Sequence, residues 1–285
     1  MSHWQKIEGF VASSMETESP DRISADNLVR AVGLKKRYSR RRGPSGSFIP
    51  VDALDDLSLE IRVGSTLALA GESGAGKSTL ARCLALLEAP DAGNIFFDGK
   101  EVTLAGGSPR RSFRKDVQLI FQDPSSAMNP RLSAAEIVEE PLHVQGVGLK
   151  RLRRSRALEL MDQVGLPAGA AGKLALELSG GQRQRLAIAR ALALGPRFII
   201  LDEALAGLDL SIQAQLVNLL LDLQAKQALT YLYITHDLSL VTHLADHVAV
   251  MHQGRIVETM PAARLFPAAQ HPVTRLLLEC IPCGI

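Results

Sequence analysis

The sequence predicts an α/β domain on a mainly parallel sheet, and three observations carry that prediction. Uniformly apolar runs recur along the chain, namely TLALA (66–70), VQLIF (117–121), FIIL (198–201) and YLYI (231–234). They lack the polar alternation of a one-sided strand and suit strands covered on both faces. Helical patterns separate the runs, and strands alternating with helices favour parallel pairing. The third observation is the glycine-rich stretch GESGAGKST that follows TLALA and opens into LARCLALL.

The bulk numbers frame this domain. A chain of 285 residues, 46% hydrophobic and 22% charged, has ample size for a real core. No run approaches the roughly 18 uncharged apolar residues that cross a bilayer. The N-terminus has no apolar core of signal-peptide type. A cytoplasmic protein is expected, with any membrane role coming through a partner. Cys83, Cys280 and Cys283 do not make a disulfide framework, and a net charge of +2 does not argue for nucleic acid.

Taken in order, residues 1–26 are polar, lack periodicity and read as a mobile tail, with Met15 as a possible second start. An apolar strand runs from Leu28 to Leu34, Tyr38 follows, and SRRRGPSGS reads as a loop. Val51 to Arg62 reads as strand, turning at Val63-Gly64 into TLALA. A helix is expected from Lys77 to Leu87 and stops at Ala89-Pro90. NIFFDG is a strand ending in an Asp98-Gly99 turn. Helical patterning returns from Ser133 to about Leu176, broken at Gly165-Leu166-Pro167, and reads as an inserted lobe. Further helices are expected from Ser179, over Ser211–Ala225 and up to Ala245, then a strand pair joined at Gln253-Gly254.

The chemistry concentrates at the ends of the apolar strands. Gly71, Gly74 and Gly76 let the backbone turn tightly and aim several N–H groups at one point. The helix that follows adds free amides and the positive end of its dipole. The spacing Gly71-x4-Gly76-Lys77-Ser78 is that of a phosphate-binding loop, which also takes in Glu72, Ser73 and Ala75. Lys77 would reach the β and γ phosphates, Ser78 would ligate magnesium and Thr79 would donate to the α phosphate. Asp202 and Glu203 follow FIIL at the carboxyl end of a strand, where ligands bind in such sheets. Asp202 would hold magnesium and Glu203 would orient or deprotonate the attacking water. Alone, two acids there would more often cap a helix or pair with a surface lysine; the upstream loop favours the metal and water roles. In LSGGQ (178–182), Ser179 and Gln182 have the spacing of a capping box, so a helix starts there. Gly180 and Gly181 leave its first amides open to an anion.

These motifs, with Gln122, Gly207-Leu208-Asp209 and His236, stand in the order found in ABC-type ATPase subunits, which the chain resembles over about residues 28–279. The resemblance implies a P-loop NTPase core, mainly parallel with an antiparallel β part, and an inserted helical subdomain. It places the tail at 1–26, the ATPase domain at 27–260 with its helical part at about 130–178, and a C-terminal extension at 261–285. It implies ATP and Mg2+ as ligands and a working pair in which the LSGGQ segment of one chain closes on the nucleotide of the other. Gln122 then touches magnesium or water and couples to a transmembrane partner. His236 contacts the γ phosphate, Asp209 links the two halves, and Tyr38 stacks on adenine. As a bare residue, Gln122 could equally be a surface strand end, His236 a satisfied loop residue and Tyr38 plain packing.

Two departures stand out, since Ala204 occupies a position where the family usually has Pro and Ala206-Gly207 one where Ser-Ala is common. Neither removes a reactive group. FQDPSSAMNPR, LDLSIQAQ and HPVTRLLLECIP resemble the ATPases of peptide and nickel importers, whose extension often continues into a cysteine-rich tail. Cys280 and Cys283 alone fall short of the roughly four ligands that a metal or cluster needs. The implied partners are a second, homologous but non-identical ATPase subunit, two membrane permeases and, indirectly, an extracytoplasmic binding protein, with no nucleic acid. The implied place is the cytoplasmic face of the membrane. The alternative is a DNA-repair or translation ATPase, but the stretch from Gln122 to Ser179 is too short for a coiled coil and lacks cysteine pairs. The basic run KRLRRSR (150–156) could meet anionic lipid or be a solvated helix face.

Overall fold

A computed structural model describes residues 26–41, 48–103 and 106–279. The tail before residue 26, the end of the SRRRGPSGS loop, Cys280 and Cys283 lie outside the described residues. In chain order the strands β1 (Asn27–Arg41) and β2 (Phe48–Arg62) come first, then β3 (Thr66–Ala70) and helix α1 (Lys77–Leu84). Next are β4 (Ala92–Phe97), β5 (Lys100–Glu101), α2 (Gly107–Asp116) and β6 (Val117–Ile120). Helices α3 (Ala134–Val144), α4 (Lys150–Gln163) and α5 (Gly180–Leu192) follow. The chain continues through β7 (Phe198–Asp202), α6 (Leu210–Gln227), β8 (Thr230–Thr235) and α7 (Val241–Leu244). It ends with β9 (His247–His252), β10 (Arg255–Pro261), α8 (Leu265–Ala268) and α9 (Pro272–Glu279).

One sheet has the order β10-β9-β3-β8-β7-β6 and is parallel except for β10. The other, β2-β1-β4-β5, is antiparallel throughout. All five residues of β3, all five of β7 and all six of β8 are buried. Their side chains alternate between two cores. Ala68, Ala70, Ile199, Leu201, Tyr231 and Tyr233 face the helices α3 to α6, whereas Leu67, Leu69, Phe198, Ile200, Leu232 and Ile234 face α1 and the antiparallel sheet. This is why the apolar runs carry no polar alternation.

Tyr38 does not follow a strand; it lies inside β1, paired with Val51, because β1 and β2 form a long antiparallel arm. Helix α1 ends at Leu84, where Ala85 caps it and Leu86 turns left-handed at φ 51°. Helix α2 lies in a stretch, GSPRRSFRKD, that has no apolar periodicity. The Asp98-Gly99 turn takes positive φ at both residues, 52° and 73°, as a two-residue hairpin requires. Gln253-Gly254 does the same between β9 and β10, at 47° and 80°. The packing of α3 and α4 runs on into α5, so residues beyond 178 complete the helical layer.

Candidate functional site

The loop between β3 and α1 is held by parts of the chain remote in sequence. A Cβ on Gly71 would lie 2.3 Å from the Met251 carbonyl oxygen, and one on Gly76 would lie 2.1 Å from the Ala53 carbonyl oxygen. Strands β9 and β2 therefore press backbone against the loop, and only glycine fits. The Gly254 N–H donates to the Ala75 carbonyl (3.0 Å), while Asp55 N–H donates to the Gly254 carbonyl (3.0 Å). Arg255 clasps Asp55 through Nε (2.9 Å) and Nη2 (2.6 Å), fastening the β9–β10 turn to β2. Ala75 is buried and its N–H donates to the Glu72 carbonyl (3.2 Å), so it shapes the loop from inside. Glu72, Ser73 and Gly74 face solvent, with Glu72 4.0 Å from His252 Nδ1.

The Lys77 ammonium curls back over the loop and donates to the Gly71 (2.7 Å) and Glu72 (2.9 Å) carbonyls. Burial pushes its pKa down, and the carboxylates of Glu203 and Asp202 oppose that shift. Ser78 Oγ donates to Asp202 Oδ1 across 3.2 Å, joining the first turn of α1 to the carboxyl end of β7. Burial raises the Asp202 pKa, the Ser78 hydrogen bond lowers it, and the neighbouring Glu203 raises it further. A proton on that carboxyl is thus easier to keep than on an exposed aspartate.

Glu203 adopts a left-handed backbone, φ 51°, rare for a side chain of this kind and held by its N–H donating to the Ile234 carbonyl (3.0 Å). The turn presents its carboxylate beside His236, whose Nδ1 is 3.6 Å away. Ala204 is buried against the helix-side core, filling the position where proline was expected. Gln122 is exposed and leaves β6 at the same sheet edge, since Ile120 pairs with Leu201 one residue before Asp202. Asp209 is exposed at the start of α6 with no capping bond from its side chain.

Tyr38 is partly buried, and its hydroxyl donates to Glu88 Oε2 (2.7 Å). Arg82 lies 3.5 Å from the same carboxylate oxygen and 3.5 Å from Thr79 Oγ1. Tyr38 thus sits beside α1 and Thr79, anchored by an acid that no motif singled out.

Ser179 caps α5 with the reciprocal geometry its spacing predicts. Its Oγ accepts from the Gln182 N–H (3.3 Å), and Gln182 Oε1 accepts from the Ser179 N–H (3.1 Å). The hydroxyl proton remains available to an outside acceptor, and Ser179 is exposed. Gly181 has an internal reason to be glycine, because a Cβ there would meet Ile212 Cγ2 at 2.8 Å. A Gly180 Cβ would meet Leu208 at 3.4 Å. The structure therefore brings Lys77, Ser78, Asp202, Glu203 and His236 to one edge of the parallel sheet. Ser179–Gln182 stands on a separate helix start, and among the described residues no hydrogen bond or ion pair joins it to that group.

Such a site offers amides and a lysine to phosphates, two oxygen ligands to a hard cation, and a carboxylate to a water. Comparison with known proteins places the chain among relatives of one kind. The family model described as ABC transporter matches residues 54–206. A Brucella ovis protein named a peptide import ATP-binding protein is 44% identical over 255 residues, covering 90% of this chain and 78% of that one. The oligopeptide transport ATP-binding protein OppD of Mycobacterium tuberculosis is 45% identical over 91% of this chain, which spans 42% of that longer protein. Among solved structures, the dimeric post-hydrolysis ATP-binding cassette MJ0796 bound to ADP and Pi aligns with a TM-score of 0.73 at 28% identity, covering 82% of this chain and 99% of that one. The cbiO1 protein of Clostridium perfringens, part of the transporter complex cbiONQ, aligns equally well over 85% of this chain and 92% of its own.

Proposed function

The chain belongs to the ABC transporter family of ATP-binding ATPases, and on that premise we propose that it powers a peptide importer. It would act on the cytoplasmic face of a membrane, paired with a second ATPase subunit beneath two permease subunits, with an extracytoplasmic binding protein choosing the cargo. Peptide, rather than nickel, is the cargo that the names of the relatives support. A DNA-repair or translation role finds no comparable support.

The observation that carries the catalytic reading is the Ser78–Asp202 contact at 3.2 Å beside Glu203 and His236. Hydroxyl and carboxylate oxygens side by side fit a hard divalent cation. Magnesium held there would neutralise charge developing on the γ phosphate. The loop amides and Lys77 would bind the β and γ phosphates, exchanging the lysine's carbonyl partners for phosphate oxygens. Thr79 would hold the α phosphate, and Tyr38 would stack on adenine. Glu203 would take the proton of the water whose oxygen attacks γ-phosphorus as the bond to ADP breaks. His236 would steady the γ phosphate, and Gln122 would touch the metal or the water and report to the permease. Ser179, Gly180, Gly181 and Gln182 would close on the nucleotide of the partner chain, the free Ser179 hydroxyl donating to its γ phosphate.

The test is ATP hydrolysis by the complex carrying Glu203→Gln. A lost general base costs about 100-fold or more, with ATP binding kept; an unchanged rate would overturn the assignment. Tagged chain should also bring down two integral membrane proteins. Recovery of ribosomes or DNA instead would favour the non-transport reading.

A further inference from the structure

From Pro141 to Leu158 the sequence carries Lys150, Arg151, Arg153, Arg154 and Arg156 and no acidic residue, in a chain whose net charge is only +2. The structure places this stretch at the outer turn between α3 and α4. Two of the arginines are matched by acids, Arg154 by Glu139 (3.1 Å) and Arg156 by Glu159 (3.5 Å). The others are not. Lys150 and Arg151 are exposed and make no ion pair or hydrogen bond among the described residues, although Lys150 is near enough to Glu136 to help lower that carboxylate's pKa. Arg153 donates to the Gly148 carbonyl (2.6 Å), which orders the side chain but leaves its charge uncompensated. A further cation arrives from another element, as Arg111 of α2 donates to the Val144 carbonyl and to Gln145 Oε1, both at 3.1 Å.

Between these cations, aliphatic side chains stand in solvent. Leu149 is 75% exposed, Val144 65%, Leu152 55% and Val147 39%. Gly146 and Gly148, at φ 67° and 70°, fold the turn that brings Val144 and Val147 up to the start of α4. Leu149 and Leu152 are three apart and share one side of that helix start. Isolated exposed leucines need no explanation, but four aliphatics gathered among Lys150 and three arginines without an acidic partner among the described residues do. The combination matches the boundary of an anionic bilayer, where aliphatic tips enter the acyl region and guanidinium and ammonium groups meet phosphates.

We propose that the α3–α4 turn is a membrane-contact surface that binds anionic phospholipid headgroups. This rests on the reading of the chain as a transporter subunit only for its biological setting, because the contact itself is made by this chain alone. An exposed turn with charge and aliphatics interleaved favours a lipid surface over a protein groove.

The experiment is co-sedimentation of the full chain with vesicles of phosphatidylcholine, with and without about one quarter phosphatidylglycerol. The account predicts binding to the anionic vesicles only, weakening steeply between about 50 and 300 mM salt as screening sets in. Lys150→Glu/Arg151→Glu and Leu149→Ser/Leu152→Ser should each weaken binding at least tenfold while ATP hydrolysis is unchanged, which also shows that the variants fold. Equal binding to neutral and anionic vesicles, or anionic binding indifferent to both variants, would overturn the proposal. So would binding that appears only when permease is present in the vesicles, which would assign the surface to protein. A variant-sensitive lipid contact in a chain that recovers no permease would leave the lipid site standing and sink the importer reading instead.

Discussion

Substituting Gly76 by alanine tests the geometry on which the nucleotide loop depends. The residue has φ 108°, and its Cβ would sit 2.1 Å from the Ala53 carbonyl oxygen and 2.7 Å from Met251 Cε. The methionine tip can move, but the carbonyl belongs to β2 and cannot. Forcing a methyl group into such a contact costs about 1–3 kcal/mol, and the left-handed backbone adds about 1–2 kcal/mol. Gly74 supplies the control, because it has φ 82° but nothing within 4 Å of its Cβ, so Gly74→Ala carries only the backbone cost. The two variants should differ by about 1–3 kcal/mol, or roughly 2–12 °C in melting temperature for a domain of this size. Thermal scans of both proteins read the difference directly, and ATP titration should show the weaker binding in Gly76→Ala. If the two melt together, the close approach of β2 to the loop is wrong.

Other perturbations probe separate contacts. Burial raises the pKa of Asp202 above its unfolded value, so its ionised form costs stability at pH values above that folded pKa, and the cost disappears below the unfolded pKa. Asp202→Asn should therefore melt above wild type at pH 7 and converge with it in acid, while Mg-dependent hydrolysis falls; a less stable variant at pH 7 would reverse the sign. Tyr38→Phe keeps the ring but loses the Glu88 bond, and a loss of about 1 kcal/mol should raise the KM for ATP roughly fivefold. Unchanged KM in both Tyr38→Phe and Tyr38→Ala would make the residue plain packing. Arg255→Ala frees the β9–β10 turn from Asp55 and should raise KM with kcat largely kept; a fall in kcat alone would show that the clasp does not act through the loop.

How much of this was legible depended on whether the cause was local. The uniform apolar runs of β3, β7 and β8 read as strands buried on both faces because they are short, carry no polar alternation and are separated by helical patterns. The Ser179–Gln182 cap and the Asp98-Gly99 hairpin were readable because their hydrogen bonds and dihedrals close within four residues. Helix α2 was not, since GSPRRSFRKD has one large apolar residue, Phe113, which is buried, and so no apolar period. Tyr38 looked like a strand end because the continuation of β1 is set by pairing with β2, not by its own apolarity. The partners that shape the loop, Ala53, Met251 and Gly254, are distant in sequence and act through backbone atoms that any residue carries. Glu88 likewise gave no signal until the fold set it against Tyr38.

The account stands or falls on where Ser179 lies when nucleotide is bound. A structure of the complex with Glu203→Gln, trapped with Mg-ATP, should place Ser179 Oγ about 2.7–3.0 Å from a γ-phosphate oxygen held by the loop of the facing subunit. Finding that hydroxyl solvated, with the phosphates covered by some other part of the partner, would contradict it.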